Sequence, residues 1–144
     1  MPLYLADSSI WAWANKRSRP DITEKLALRL ERDEVATCVP VALEVMQRAE
    51  TGAQYDELFD GLLSPLRWLD LDSAASRRAL GVQRELAAGS HGNHRRPAVD
   101  YLIAAIGELA EDAVVTWFFD KDLRVICEHT GQEYEAESTT GAGH

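Results

Sequence analysis

Apolar and polar positions follow one another along the chain in a pattern that predicts short strands separated by helices. Short apolar runs bounded by turn-forming residues predict strands at 3–6, 35–39, 67–71, 114–119 and 132–137. Segments in which apolar residues recur every three or four positions predict helices at 10–14, 21–32, 40–49, 55–63, 72–88, 97–110 and 123–129. Asp21, followed three residues later by Glu24, predicts a capping box at the start of the second helix. Because strands that alternate with helices form parallel sheets with right-handed crossovers, we expect an α/β fold, a three-layer sandwich whose central parallel sheet has about five strands.

The length of the chain is typical of a single domain. Its 144 residues are enough to bury roughly two thirds of the surface that the unfolded chain exposes. The sequence contains no internal repeat. We therefore assign 1–137 to one domain and predict a flexible C-terminal tail at 138–144, where the residues are small and polar.

The charge balance is acidic, with 15 Lys and Arg against 24 Asp and Glu and a net charge of −9. This balance argues against non-specific nucleic-acid binding through a broad basic surface. The basic residues nevertheless form local groups beside acidic positions, and these are Lys16, Arg17 and Arg19; Arg95 and Arg96; and Lys121 and Arg124. Each group either holds a phosphate backbone or is solvated charge on a loop.

Cysteine usage and hydropathy bear on the compartment. Cys38 and Cys127 lack the paired spacing of a zinc site, and the sequence shows no signal peptide. We interpret them as free thiols in a reducing environment. No apolar run approaches the roughly 20 residues that a membrane-spanning helix needs. We therefore expect a cytoplasmic protein without a membrane segment.

Four carboxylates stand at the ends of apolar segments. Asp7 and Asp120 follow predicted strands, while Glu44 and Asp100 lie in the first turns of predicted helices. In parallel sheets ligands bind beyond the carboxyl ends of the strands, so these acids can converge there. Carboxylates buried near one another are unfavourable unless a proton or a cation neutralises them. The pattern therefore predicts a site for Mg²⁺ or Mn²⁺ and a metal-dependent hydrolase.

Each of these residues also has a structural alternative. An Asp at the end of a strand often forms a turn or caps a helix. Asp122 lies close to Asp120, and either one is the ligand while the other caps the following helix. Ser9 either helps to position a ligand or water, or it caps the helix that follows Asp7.

Four segments carry a resemblance to a known family, and they are Leu5-Ala6-Asp7-Ser8-Ser9-Ile10-Trp11, Pro40-Val41-Ala42-Leu43-Glu44-Val45, Val99-Asp100-Tyr101-Leu102-Ile103-Ala104-Ala105 and Phe119-Asp120-Lys121-Asp122-Leu123. In this order and spacing they resemble PIN-domain proteins, in particular VapC-type toxins of bacterial toxin–antitoxin pairs, over nearly the whole chain. The resemblance implies a PIN-like fold and a Mg²⁺- or Mn²⁺-dependent endoribonuclease. The acidic centre that it implies comprises Asp7, Glu44, Asp100 and Asp120.

The resemblance also implies partners. These are a cognate antitoxin that occupies the active-site groove, a second copy of the chain in a homodimer, and structured RNA such as tRNA or rRNA as the substrate. One position departs from the family pattern, which often has Thr or His two residues before the fourth acid. Here Phe118 holds that place and Thr116 lies further back, so the choice between Asp120 and Asp122 stays open.

Histidines and tryptophans are the other side chains with possible functional roles. His91 and His94 lack the i, i+4 spacing of a helical metal pair, and we expect them in a solvent-exposed loop. Four tryptophans either stack on bases or pack in the core or a dimer interface, and their apolar surroundings favour packing. They are Trp11, Trp13, Trp68 and Trp117. The rival functions are a catalytically silent PIN-like module that binds RNA or a partner protein, and a phospho-acceptor signalling domain.

Overall fold

Five short strands form one sheet in the computed structural model, which describes residues 2–89 and 91–139. The strands are β1 Leu3–Ala6, β2 Val35–Thr37, β3 Arg67–Trp68, β4 Val114–Phe118 and β5 Tyr134–Ala136. Their order across the sheet is β3-β2-β1-β4-β5. Every neighbouring pair is parallel. The predicted parallel sheet of five strands is confirmed.

Within the described residues, seven α-helices and one π-helical segment connect the strands. The α-helices are α1 Ser8–Ala14, α2 Pro20–Glu31, α3 Val39–Met46, α4 Gly52–Leu58, α5 Ser73–Gly89, α6 Ala98–Leu109 and α7 Lys121–Thr130. The π-helical segment, Phe59–Leu63, continues directly from α4. Together they replace the single helix predicted at 55–63.

Helices α5, α6 and α7 lie on one face of the sheet. On this face the ring of Phe118 in β4 stacks on Tyr134 in β5, with 5.7 Å between their centroids. Gly107 in α6 faces Thr116 in β4, and a Cβ added to this glycine would lie 2.6 Å from Thr116 Oγ1. The missing side chain at position 107 therefore allows α6 to approach the sheet closely.

Helices α1 and α2 lie on the opposite face. The guanidinium of Arg29 in α2 lies 3.6 Å from the ring centroid of Tyr4 and 4.4 Å from that of Trp117. The same guanidinium donates hydrogen bonds of 2.9 and 3.0 Å to the carboxylate of Glu135. These contacts join α2 to β1, β4 and β5. The sheet is thus enclosed between two helical layers, and the predicted three-layer sandwich is confirmed.

The start of α2 differs from the prediction. Arg19 is the N-cap residue, and Pro20 occupies the first turn of the helix. Proline suits this position because its missing N–H has no partner in a first helical turn. The carboxylate of Asp21 accepts two hydrogen bonds of 3.0 Å from the guanidinium of Arg19. The predicted capping box of Asp21 and Glu24 is therefore wrong.

Core packing accounts for two of the four tryptophans. Trp11 and Trp117 are buried, as the packing interpretation predicts. Trp13 is half-buried and stacks on Phe119, with 5.1 Å between the ring centroids. Trp68 is 37% exposed and lies on the edge strand β3.

The two cysteines are free, as predicted, and both are buried. Burial raises the pKa of the thiols of Cys38 and Cys127 to about 12. In the part of the chain that the structure describes, no helix combines the length and the apolar character needed to cross a membrane.

The segment after β5 contacts α2 through its backbone. The carbonyl oxygen of Ser138 accepts a hydrogen bond from Arg19. Residues 140–144, most of the predicted tail, lie outside the described residues, as does residue 90. The domain boundary at 137 stays a prediction.

Candidate active site

Acidic residues from four elements lie at the carboxyl edge of the sheet. Asp7 follows β1 directly, and Asp120 follows the neighbouring strand β4 after one intervening residue. Asp100 lies in the first turn of α6. Glu44 lies in α3, the helix that begins just after β2. The strand order places β1 between β2 and β4, so the four predicted acids share one edge of the sheet.

Asp7 is buried and is held by Ser9. The Oδ2 atom of Asp7 accepts hydrogen bonds from the backbone N–H of Ser9 at 3.2 Å and from its Oγ at 2.7 Å. The same Oγ accepts a 3.1 Å hydrogen bond from the backbone N–H of Phe119, which links α1 to the end of β4. Asp7 is the N-cap of α1, so the predicted capping role of Ser9 is wrong. The hydroxyl of Ser9 instead positions Asp7.

The second oxygen of Asp7 has no hydrogen-bond partner among the described residues. This atom, Oδ1, is fully buried. Burial raises the pKa of Asp7, the hydrogen bonds from Ser9 partly oppose the rise, and the charge of Glu44 adds to it. Oδ1 of Asp7 is therefore a buried oxygen to which no described group donates a hydrogen bond.

Asp100 has a similar environment. It is 5% exposed, and its Oδ2 atom is buried without a hydrogen-bond partner in the described chain. Burial, a hydrogen bond with Asp120 and the charges of Asp120, Asp7 and Asp122 raise the pKa of Asp100 to about 9. This rise in pKa favours the protonated carboxyl when no cation is bound.

Asp120 and Asp122 approach Asp100 closely. One carboxylate oxygen of each lies within 4.8 Å of the others, a spacing that a single metal ion can bridge. Asp120 is the N-cap of α7, and its Oδ1 accepts a 2.7 Å hydrogen bond from the backbone N–H of Asp122. Asp122 forms an ion pair with Arg96, whose Nη1 lies 2.7 Å from Oδ1 of Asp122. The two acids thus have different partners.

Glu44 lies on the Asp7 side of the cluster. It is half-buried, and its Oε1 accepts a 3.0 Å hydrogen bond from Oγ of Ser8. The negative charge of Glu44 raises the pKa of Asp7. The structure therefore brings Asp100 and Asp120 into one group and places Asp7 and Glu44 beside it.

Two residues that organise these acids were not predicted from the sequence in this role. Ser8 binds Glu44, although the two are separated by 36 positions in the chain. Arg96 binds Asp122 and is itself fixed by Asn93, through bonds of 2.6 Å to Oδ1 and 3.0 Å to the carbonyl oxygen. A basic residue directly before a helix that carries an acid was the available signal for Arg96. No local signal identified Ser8.

The residue two positions before Asp120 faces the core. Phe118 is fully buried and stacks on Tyr134. Oγ1 of Thr116 accepts a 3.4 Å hydrogen bond from Nε2 of Gln132. Within the described residues, neither Phe118 nor Thr116 forms a side-chain hydrogen bond with the four acids, and the hydroxyls that bind them are those of Ser9, on Asp7, and Ser8, on Glu44.

The two loop histidines differ in exposure. His91 is exposed, as expected, whereas His94 is half-buried, and its carbonyl oxygen accepts a 2.7 Å hydrogen bond from the hydroxyl of Tyr101. Within the described residues, the acidic group that could hold a metal includes neither histidine.

The donor set fits a hard divalent cation. Every candidate ligand atom is a carboxylate oxygen, which Mg²⁺ and Mn²⁺ prefer. Two of these oxygens, on Asp7 and Asp100, are buried and unpartnered, which is costly unless a cation or proton compensates them. The residues present therefore fit such an ion.

Comparison with known proteins identifies the family. The chain is 31% identical to Ribonuclease VapC18 of Mycobacterium tuberculosis over 134 residues, which cover 92% of this chain and 93% of that protein. It is 34% identical to Ribonuclease VapC51 of the same organism over 129 residues, which cover 90% and 88% of the two chains. This chain belongs to the VapC ribonuclease family. The resemblance inferred from the four sequence segments is thereby confirmed, although no family model matches the chain.

Solved structures share the fold of this VapC family member. A chain of the DNA-bound VapBC structure from Salmonella typhimurium aligns with a TM-score of 0.71 at 17% identity, covering 94% of this chain and 98% of that one. A chain of VapBC2 from Rickettsia felis bound to a promoter DNA fragment aligns with a TM-score of 0.68 at 19% identity, covering 93% and 98%. These alignments confirm the predicted PIN-like fold.

Proposed function

We propose that the chain is an endoribonuclease that hydrolyses phosphodiester bonds in RNA with Mg²⁺ bound at the carboxyl edge of the sheet, and that Mn²⁺ also supports the reaction. One observation carries the proposal: Oδ1 of Asp7 and Oδ2 of Asp100 are buried without hydrogen-bond partners in the described chain. A divalent cation compensates such oxygens. The names of the relatives, Ribonuclease VapC18 and Ribonuclease VapC51, support RNA as the substrate.

The proposed ligands are the four acids at this edge. Asp7 and Asp100 are the principal ligands because they are the most buried and each has an unpartnered oxygen. We assign the next position to Asp120 rather than Asp122, because Arg96 already compensates the charge of Asp122. Glu44, held by Ser8, supplies a carboxylate on the Asp7 side.

The chemistry divides between the ion and the protein. A bound divalent cation supplies a Lewis acid that stabilises charge on the phosphodiester and lowers the pKa of a water. Ser9 fixes Oδ2 of Asp7 and leaves Oδ1 available for binding. The N-cap bond to Asp122 fixes one oxygen of Asp120 in the same way. Because these oxygens are held before substrate binds, little reorganisation accompanies the reaction.

We further propose that the chain is the toxin of a toxin–antitoxin pair and that its antitoxin covers this edge. The solved structures that share the fold are VapBC structures, which supports such a heterocomplex. Leu43, next to Glu44, is 61% exposed and offers apolar contact area beside the site. The homodimer and the preference for tRNA or rRNA stay predictions.

Cleavage assays with matched variants test the nuclease proposal. Purified wild-type protein is incubated with a tRNA pool and with ribosomal RNA, in Mg²⁺, in Mn²⁺ and in chelator. We expect cleavage with either ion and none in chelator, and loss of cleavage in Asp7→Asn and Asp100→Asn. Asp33→Asn is the control, because Asp33 is exposed, precedes β2 at the opposite edge and has a φ of 57°, which Asn tolerates.

The outcomes separate the nuclease from a binding module. If wild-type protein binds RNA and cuts none of it with either ion, the catalytically silent module is the correct function. If Asp7→Asn and Asp100→Asn cut as well as Asp33→Asn does, the acidic edge is not the active site.

A further inference from the structure

Beside the acidic site, three side chains form a stack that ends in a positive charge. Phe119 directly precedes Asp120, and its ring stacks on Trp13 with 5.1 Å between centroids and 23° between planes. Nζ of Lys16 lies 4.0 Å from the centroid of the Trp13 ring. An ammonium over an indole ring is attracted to the ring face. The stack therefore holds the charge of Lys16 at a fixed place relative to the end of β4.

Lys16 is free to bind an anion. Its side chain is exposed and forms no salt bridge with an acid in residues 2–89 or 91–139. Arg19 is the other cation near the two rings, with its guanidinium 5.4 Å from the centroid of Phe119. Arg19 is buried and already paired with Asp21. Of these two cations, Lys16 alone can receive a phosphate from solvent.

The position of Lys16 relative to the acids limits its role. Asp7 caps the start of α1, and Lys16 lies two residues beyond the end of this helix at Ala14. An α-helix rises about 1.5 Å per residue, so the backbone of Lys16 lies on the order of 10 Å or more from Asp7. The Trp13 ring lies between Nζ of Lys16 and Phe119, which holds the ammonium away from the phosphodiester at the acids. This placement suits a neighbouring phosphate of the same RNA strand.

We propose that Lys16, held on the Trp13 and Phe119 rings, is a substrate-positioning residue that binds an RNA phosphate next to the one that is cleaved. This inference rests on the proposed ribonuclease function. The chain carries a net charge of −9, which repels RNA at long range. A cation fixed beside the acidic edge gives local attraction and loses little side-chain entropy on binding, because the stack already orders it.

Lys16→Gln tests the proposal in cleavage and in binding. In steady-state cleavage of a tRNA pool, we expect KM to rise about threefold to tenfold with kcat unchanged, the pattern of a contact made equally in ground and transition states. In chelator, tRNA binding is measured across a salt series. Loss of one phosphate contact reduces the slope of log K against log salt by about 0.7 to 0.9. A role in folding alone does not change this slope.

Three further variants sharpen the test. Arg32→Gln is the matched control, because Arg32 is exposed, has no salt bridge among the described residues and lies before β2 at the opposite edge. It keeps the wild-type KM and slope. Lys16→Arg keeps the charge and the slope. Trp13→Leu removes the ring under the Lys16 ammonium but keeps the charge. We expect weaker tRNA binding with a salt slope near that of the wild type, and a thermal melt checks that the variant is folded.

The proposal is overturned if Lys16→Gln leaves both KM and the salt slope unchanged. The same holds if Lys16→Gln weakens binding to a protein partner and has no effect on KM or the salt slope. A fall in kcat without a change in KM also overturns it. If the wild-type protein cuts no RNA, the ribonuclease function fails on its own, while the salt series in chelator still decides whether Lys16 contacts a phosphate.

Discussion

Nη1 of Arg96 donates a 2.7 Å hydrogen bond to Oδ1 of Asp122, and this ion pair gives the two acids at the start of α7 different roles. The charge of Asp122 is compensated within the protein. One oxygen of Asp120 caps α7, but the described residues contain no cationic partner for the Asp120 carboxylate. This difference is the basis on which we propose Asp120, rather than Asp122, as the metal ligand.

The first prediction compares Asp120→Asn with Asp122→Asn. Asn at 120 can still cap α7, so we expect a normal melting temperature but a loss of Mg²⁺ affinity of about tenfold or more. Asn at 122 breaks a partly buried ion pair, and we expect the free energy of unfolding to fall by about 1 kcal/mol with a smaller loss of affinity. Calorimetric titration with Mg²⁺ and thermal melts measure both effects. Equal losses of affinity would show that both acids are ligands.

The second prediction concerns pH and the metal-free protein. Burial and the neighbouring acids raise the pKa of Asp100 from 3.8 to about 9 in the folded state. Between these values the folded chain holds a proton that the unfolded chain has lost, so the free energy of unfolding decreases as pH rises. We expect the melting temperature in chelator to fall from about pH 5 to about pH 9. Asp7, whose pKa is also raised, contributes with the same sign.

Two controls accompany the pH series. Asp100→Asn removes the group that loses its proton, so in chelator at alkaline pH this variant melts above the wild type. Mg²⁺ competes with protons for the same oxygens, so the stabilisation by added Mg²⁺ grows as pH rises. A wild-type melting temperature in chelator that is constant over this range contradicts the raised pKa of Asp100.

The third prediction concerns the hydroxyl of Ser9. Ser9→Ala removes the 2.7 Å hydrogen bond to Asp7 and leaves the backbone N–H of Phe119 without its partner. We expect about 1–2 kcal/mol lower stability and roughly tenfold to 100-fold weaker metal affinity, because Asp7 is no longer oriented. Ser8→Ala is the comparison, since the hydroxyl of Ser8 binds the half-buried Glu44 and the substitution leaves the backbone of Ser8 in place. It has the smaller effect on both quantities, and an equal effect contradicts the primacy of Asp7.

The fourth prediction concerns the approach of α6 to the sheet. Gly107→Ala places a Cβ 2.6 Å from Oγ1 of Thr116, so the Thr116 side chain, α6 or β4 must shift. We expect the free energy of unfolding to fall by about 1–3 kcal/mol. Gly81→Ala in α5 is the control, because a Cβ there meets no atom within 4 Å. Ala at 81 stabilises the helix by up to about 1 kcal/mol.

A double variant locates the clash. Thr116→Ala removes the Oγ1 atom that the new Cβ meets. We therefore expect the double variant Gly107→Ala with Thr116→Ala to lose less free energy of unfolding than the sum of the losses in the two single variants. Strict additivity in chemical denaturation would mean that the loss arises elsewhere.

The periodicity of the chain was sufficient to predict the sheet, because buried strands such as β1 and β4 are apolar runs that end abruptly at acids. Tertiary contacts decided what periodicity left undetermined. The start of α2 depends on Arg19, which donates a hydrogen bond to the carbonyl oxygen of the distant Ser138. Arg19 also binds the carboxylate of Asp21, which therefore does not cap the helix. The spacing of apolar residues does not distinguish the π-helical segment Phe59–Leu63 from a continuation of the α-helix.

At the site, the sequence predicted which acids share an edge, because strand ends and first helical turns follow from local pattern. It did not predict their partners. The choice between Asp120 and Asp122 depends on Arg96, which precedes α6 rather than α7. The support of Glu44 comes from Ser8 on another helix. Such pairings depend on how helices are placed on the sheet, which no short segment encodes.

The inert cysteines have a practical consequence. With thiol pKa values of about 12 and no access to solvent, Cys38 and Cys127 react slowly with maleimides at neutral pH while the fold is intact. A single cysteine introduced on the surface can therefore carry a fluorophore without replacing either native residue. The rate at which Cys38 and Cys127 are labelled then reports the rate of unfolding, since only unfolded molecules expose these thiols to the dye.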